Sequence, residues 1–280
     1  MKVRMAWMFA VAALIGATVV RGDDLAPKAR EILKGNQNAV VTVTALSKLD
    51  MSGTGLPIQI GGLGEAQETS CAGVVIDATG LTVVSYTALN PMEKFSSAIK
   101  IKMGGDEGGD GKELKSKTEL SRIQMRLADG TEVAGRVVFK DKELDLAFLV
   151  PDLKEGDKAP AFSPVKLAGS VTAKELDDVV MVTRHEKNLG CQPIVDTARV
   201  TSVITKPRPL YDLSGGGRPG TAVFLPDGQL LGVIVAIGGE GEGMMGMGKM
   251  EALVLPSSEI SKLAAQAKEA AAKKSKEETK

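Results

Sequence analysis

The chain has 280 residues, with 35 basic and 35 acidic side chains, two cysteines and a single histidine, His185. Zero formal charge argues against a nucleic-acid binder, which carries a basic surplus, and 43% hydrophobic residues rule out wholesale disorder. Any serine–histidine relay, multi-histidine metal site or histidine-based proton shuttle must use His185 or not exist.

Residues 1–22 read as a cleavable secretory signal. Lys2 and Arg4 precede an apolar run from Met5 to Val20, and Val20-Arg21-Gly22 offers small residues at a cleavage site. This nearly pure apolar run of 16 residues falls short of the roughly 20 needed to span a bilayer. The expectation is therefore export, to a secreted or periplasmic location, with no membrane attachment after signal removal. Loss of Lys2, Arg4 and Arg21 leaves a mildly acidic chain, consistent with solubility.

Residues 24–35 read as a helix, with Asp24 as cap, Pro27 in the first turn and Gly35 as stop. Short Val/Ile/Leu-rich runs then follow at 40–46, 73–77, 81–89, 123–130, 132–141 and 144–150. A second set lies at 178–183, 197–205, 221–228, 229–237 and 251–256. Asp129-Gly130 and Asp227-Gly228 each sit between two apolar runs, which is a hairpin signal. Short strands without interleaved helices predict an all-β barrel or sandwich. Residues 47–70, 91–120 and 238–250 are rich in Gly and polar residues and read as long loops. Residues 258–280 are Ala/Lys/Glu-rich and read as a helix fraying into a solvated tail.

Cys71 and Cys191 leave two readings open. An exported protein can oxidise them, closing a loop of about 120 residues worth about 2–4 kcal/mol, or they are separate buried thiols.

Read in order, several of these segments resemble the protease domain of the HtrA family of trypsin-like serine proteases. The leading helix with NAVVTVTAL resembles that family's first helix and strand. CAGVVIDATGLTVVSYTAL resembles the strands ending at the catalytic histidine. IQMRLADGTEVAGRVVFKDKELDLAFLVPD is similar to the segment bearing the catalytic aspartate, RPGTAVFLPDGQLLGVIVAI to the nucleophile segment, and EALVLPSSEISKL to the final strand and helix. The resemblance covers roughly residues 25–265 outside the long loops. It implies two packed antiparallel β-barrels with a cleft between them: residues 23–150 for the leading helix and first barrel, 151–257 for a linker and second barrel, and 258–280 for the tail. The peptide-binding domain that often follows in this family is not expected beyond that tail.

Carried over position by position, the resemblance puts the family's histidine at Thr87, six residues after Leu81. The aspartate falls at Asp145, and the nucleophile at Pro219, eight residues before Asp227. Thr87 has no group titrating near neutral pH and cannot activate a nucleophile. Pro219 has neither a hydroxyl nor the backbone N–H that supplies half of an oxyanion hole. Losing one such donor costs about 2.7–4 kcal/mol of transition-state stabilisation. The expectation is a pseudoprotease that binds an unidentified protein or extended peptide, with no cofactor. Asp145 is then expected to accept hydrogen bonds from Thr87 or from backbone N–H groups. The competing reading is an active serine endopeptidase using Ser214, in DLSGGG, with a displaced base drawn from His185, Lys187 or Lys249.

Other signals are weaker. GMMGMGKM at 243–250 nearly matches a phosphate-binding loop, but Met250 supplies no hydroxyl for a metal ion and a strand run follows. Asp106, Glu107 and Asp110 lack the alternating order of a calcium loop, so no metal site is expected. Met244, Met245, Met247 and Met250 form a soft, adaptable apolar set. The resemblance places them beside the primary specificity pocket, which makes them candidates for peptide contact. A copper(I) site and a plain glycine loop are the alternatives.

Overall fold

The computed structural model describes residues 25–50, 65–93, 117–154, 156–167, 169–240 and 247–278. The signal-like segment, Asp24 and the acidic stretch 106–110 lie outside the described residues. Among the described residues no helix is long and apolar enough to cross a membrane.

Two closed six-stranded antiparallel barrels make up the molecule. The first contains β1 (Val40–Asp50), β2 (Gln67–Val75), β3 (Thr82–Ser85), β4 (Lys117–Arg126), β5 (Glu132–Asp141) and β6 (Leu146–Pro151), in the order β1-β2-β3-β6-β5-β4. The second contains β7 (Asp178–Arg184), β8 (Pro193–Ile204), β9 (Leu210–Leu213), β10 (Ala222–Phe224), β11 (Leu230–Glu240) and β12 (Met247–Pro256). Its order is β10-β11-β12-β9-β8-β7. The all-β expectation holds, and the double-barrel architecture is consistent with a trypsin-like fold.

Strand periodicity explains why several strands read as unbroken apolar runs. Along β1, Val41, Val43 and Ala45 fill the first barrel, while Val40 joins a separate cluster. On β7, Val179 and Met181 fill the second barrel, while Val180 and Val182 join that same separate cluster. The shared cluster also takes Ala72 and Val74 from β2, Val233 and Val235 from β11, and Leu253 and Leu255 from β12. On these strands one face fills the strand's own barrel and the other fills the seam between barrels. Both faces are dry, so both must be apolar.

The helices cross-brace this seam. Helix α1 (Leu25–Asn36) precedes the first barrel but packs against β7 and β8 of the second, through Ala29 and Ile32. Helix α3 (Ser257–Glu278) follows the second barrel and packs on β5 and β6 of the first as well as on β11 and β12. Its Ile260, Ala264 and Ala267 are buried, and Lys268 Nζ reaches Asp77 Oδ2 at 3.0 Å. The tail region is thus a docked amphipathic helix over most of its length. Arg184 of β7 adds a further tie, its guanidinium donating to the carbonyls of Gln37, Val40 and Cys191.

Several sequence expectations need correction. The run 81–89 is not one strand: β3 stops at Ser85, and Tyr86–Leu89 forms helix α2. Ser85 adopts extended backbone and its Oγ accepts from Ala88 N at 3.2 Å, so a serine cap ends the strand. The expected loops are shorter than their composition suggests. Strands β1, β2, β4, β11 and β12 all extend into them, because polar residues pair by backbone once a ladder has started: Ser47 lies opposite Gln67, and Lys48 opposite Glu119. Strand β9 went unread because it is four residues long and follows Lys206-Pro207-Arg208-Pro209. Helix α1 runs through Gly35 to Asn36. Both Asp-Gly turns form as expected, with Gly130 and Gly228 at φ +88° and +84°.

Candidate functional site

Asp145 sits just before β6, with its backbone at φ +56° and only 1% of its surface exposed. A left-handed backbone is strained for most residues, though aspartate tolerates it better than others. Here the surroundings hold it in place. Tyr86 N donates to the Asp145 carbonyl at 2.9 Å. The carboxylate accepts from Thr87 N at 2.7 Å on Oδ1, and from Ser85 Oγ at 2.5 Å and Ala236 N at 2.7 Å on Oδ2. Ser85 and Thr87 open α2 in the first barrel, whereas Ala236 belongs to β11 of the second. One buried carboxylate therefore stitches the two barrels together with three neutral donors.

The expected bond from Thr87 comes from its backbone and not its hydroxyl. Thr87 Oγ1 is buried with no hydrogen-bond partner among the described residues. Ser85 was missed in the sequence, although a serine ahead of Tyr-Thr-Ala-Leu is a recognisable cap. Ala236 contributes only a backbone N–H, which no side-chain pattern announces.

Pro219 lies half-buried on the opposite side of the same seam. Its successor Gly220 has φ +92°, and a Cβ there would lie 2.4 Å from the Ala72 carbonyl oxygen of β2. Only glycine permits that approach between barrels. Gly220 N donates to Ile234 O at 2.7 Å, and Ile234 N to Thr221 O at 2.9 Å. Ile234 is two residues before Ala236, which spans about 7 Å of strand. Thr87 thus bonds Asp145 directly, whereas Pro219 is linked to Asp145 only through Gly220 and β11.

Ser214 is placed differently. Its hydroxyl is exposed and accepts from Arg199 N at 2.9 Å, while Ser214 N donates to Arg199 O at 2.8 Å. Arg199 pairs with Asp178 at one end of the β7–β8 hairpin, whereas His185 follows Arg184, paired with Pro193, at the other. Seven residues separate Asp178 from His185, on the order of 20 Å of strand. The structure does not bring Ser214 and His185 together. Lys187 lies on an exposed helical turn between β7 and β8, and the Lys249 side chain is outside the described residues.

Cys71 and Cys191 are free thiols, so the bridge considered from sequence is not formed. Cys71 pairs with Val43 within the first barrel, while Cys191 lies in the β7–β8 turn of the second. Burial, reinforced by the nearby negative charge of Asp145, pushes the Cys71 thiol up to about 12. At neutral pH it is protonated and a poor nucleophile.

Behind α2 lies a second polar cluster. Ser47 Oγ donates to Asn90 Oδ1 at 2.7 Å, Asn90 Nδ2 to Glu93 Oε2 at 3.1 Å, and Tyr86 Oη also bonds that carboxylate. Burial and Glu93 together raise the Tyr86 phenol to about 12. Burial also opposes the Glu93 charge, but bonds from Lys142 and Tyr86 outweigh it and hold its carboxyl below the usual value. The cluster fixes the far side of the helix that presents Thr87.

Of the methionines, Met244 and Met245 lie outside the described residues. Met247 pairs with Glu240 and Met250 with Gly238 in the β11–β12 ladder, so both belong to a hairpin and not a free loop. Met250 is 44% exposed. Strand β10 pairs with β11 only at Val233, Gly232 and Leu230. From Val235 onward β11 therefore has β12 on one side and no described strand on the other.

No protein-family model matches this chain, and no curated protein matches it.

Proposed function

We propose that this chain is an exported pseudoprotease of the trypsin-like, HtrA type, acting as a non-catalytic module that holds an extended peptide or scaffolds a protein partner. The observation that carries the reading is the occupancy of Asp145. In an active protease of this fold the aspartate orients the catalytic imidazole. Here its oxygens accept from Ser85, Thr87 and Ala236 and from no imidazole, and the residue in the imidazole's place is a threonine whose buried hydroxyl has no partner among the described residues. Pro219 brings no attacking oxygen and no N–H to the other side. The protonated thiol of Cys71 is no substitute nucleophile. Binding is supported by the end of β11 at Ile237 and Gly238, beyond the Ala236 N–H that Asp145 occupies, where no described strand lies opposite β12 and a strand could be added.

Reaction with a serine-directed fluorophosphonate tests the catalytic half. The expected result is no labelling of the purified chain. Labelling that disappears in Ser214→Ala would overturn the reading in favour of an endopeptidase with a displaced nucleophile. For the binding half, Ile237→Arg on the β11 edge is expected to abolish capture of partners from the exported fraction while the thermal melt stays cooperative. Undiminished capture by that variant would move binding away from the cleft.

A further inference from the structure

A second groove lies on the first barrel behind α2, whose Tyr86 and Asn90 help to line it. Strands β4 and β5 pair with each other only from Ile123 to Arg126, against Gly135 back to Glu132. Beyond that point β4 follows β1, and β5 follows β6. The cause lies at Arg122, which has φ +46° where the β1–β4 register slips by one residue between Thr44 and Leu46. Such a bulge bends its strand away from the neighbour. Between the splayed strands lies a groove of about 670 Å³, walled by Leu120, Ile123 and Phe139 and by three cations, Arg122, Arg136 and Lys140, with no carboxylate among the described residues that line it.

The cations differ in how they are held. Arg136 Nε lies 3.6 Å from Asp152. Lys140 Nζ donates to Tyr86 Oη at 3.2 Å and sits 5.1 Å from the centre of that ring. Arg122 is exposed and has no ion-pair partner among the described residues. Glycine would meet the left-handed backbone there without strain, yet a guanidinium occupies the lip of the groove.

We propose that this groove binds an acidic, extended segment of a partner protein, with alternate side chains meeting the apolar floor and the three cations. Six residues of β4, Thr118 to Ile123, span about 17 Å, the length of a five- or six-residue strand. Alternation of apolar and acidic residues is what such a strand would present to this wall. A nucleic acid fits less well, because the chain has no basic surplus to hold it.

The test uses the full exported chain and fluorescein-labelled peptides of alternating Glu and Val, alternating Lys and Val, and a single-stranded oligonucleotide of matched charge. The Glu–Val peptide is expected to bind with salt-dependent affinity at least tenfold above the Lys–Val peptide and the oligonucleotide. Binding should fall at least tenfold in Arg122→Glu/Lys140→Glu. Arg122→Gly, which removes the charge and relieves the backbone, should weaken binding several-fold with an unchanged or higher Tm. Amide shifts should map to residues 118–123 and 135–140. Equal binding of the Lys–Val peptide or the oligonucleotide, or undiminished binding by Arg122→Gly, would overturn the proposal. So would shifts confined to β11, which would leave the cleft reading intact.

Discussion

On the first-barrel lip of the seam, Asp145 is 1% exposed and its carboxylate accepts from Ser85, Thr87 and Ala236. On the second-barrel lip, Ser214 to Arg218 is largely exposed, and Gly215 and Gly216 turn through left-handed backbone with open space around them. The first lip is a buried polar knot in which the three donors to Asp145 are satisfied, while the Thr87 hydroxyl has no partner among the described residues. The second is an exposed loop anchored by backbone bonds at its ends and by close approaches of Gly217 to Ile234 and of Gly220 to Ala72. Buried polar groups contribute only when satisfied, and are expensive when they are not. The lips should therefore respond to substitution on different scales.

The largest effect is expected at the knot. Asp145→Ala strands two buried backbone N–H groups and the Ser85 hydroxyl, and places a less tolerant residue at φ +56°. A loss of about 3–5 kcal/mol in urea unfolding is expected. A loss below about 1 kcal/mol would mean that water replaces the carboxylate and that the seam is not held there. Next in size, Gly220→Ala drives a methyl group against the Ala72 carbonyl and should destabilise by about 2–4 kcal/mol. Gly215→Ala, at φ +80° but in open space, should lose only about 1–2 kcal/mol of backbone strain. Equal effects at the two glycines would show that strain, and not the inter-barrel contact, decides both.

Much of the scaffold was legible because strand signals are local and repeat every two residues. The runs at 132–141 and 178–183 match β5 and β7 closely, since their apolar faces are their packing faces. The helical turn at Tyr86 was hidden by its own residues: Val83, Val84 and Tyr86 favour strand, and only the Ser85 hydroxyl argues against it. The same limit applies to the site. Asp145, Thr87 and Pro219 could be marked from sequence, and the structure ties Thr87 to Asp145 directly and Pro219 only through Gly220 and β11. That the aspartate accepts a backbone N–H from position 236, 91 residues away, could not be read, because a main-chain donor leaves no trace in residue identity. Ladder extensions such as Lys48 opposite Glu119 were missed for a related reason: they rest on backbone pairing, and their polar side chains look like loop.

The comparison is sharpest where two serines do similar bonding in unlike surroundings. Ser85 Oγ is buried, donates to the Asp145 carboxylate at 2.5 Å and caps α2 by accepting from Ala88 N. Ser214 Oγ is exposed and accepts from one backbone N–H, that of Arg199. A hydrogen bond to a buried charge contributes about 1.5–3 kcal/mol, and loss of a serine cap about 0.5–2 kcal/mol. Ser85→Ala should therefore destabilise by about 2–3 kcal/mol in equilibrium unfolding. In Ser214→Ala, water reaches the freed Arg199 N–H, and the change should stay within about 0.5 kcal/mol. A loss at Ser214 as large as that at Ser85 would show the exposed lip to be as tightly built as the buried one, and the contrast between the two sides of the cleft would fail.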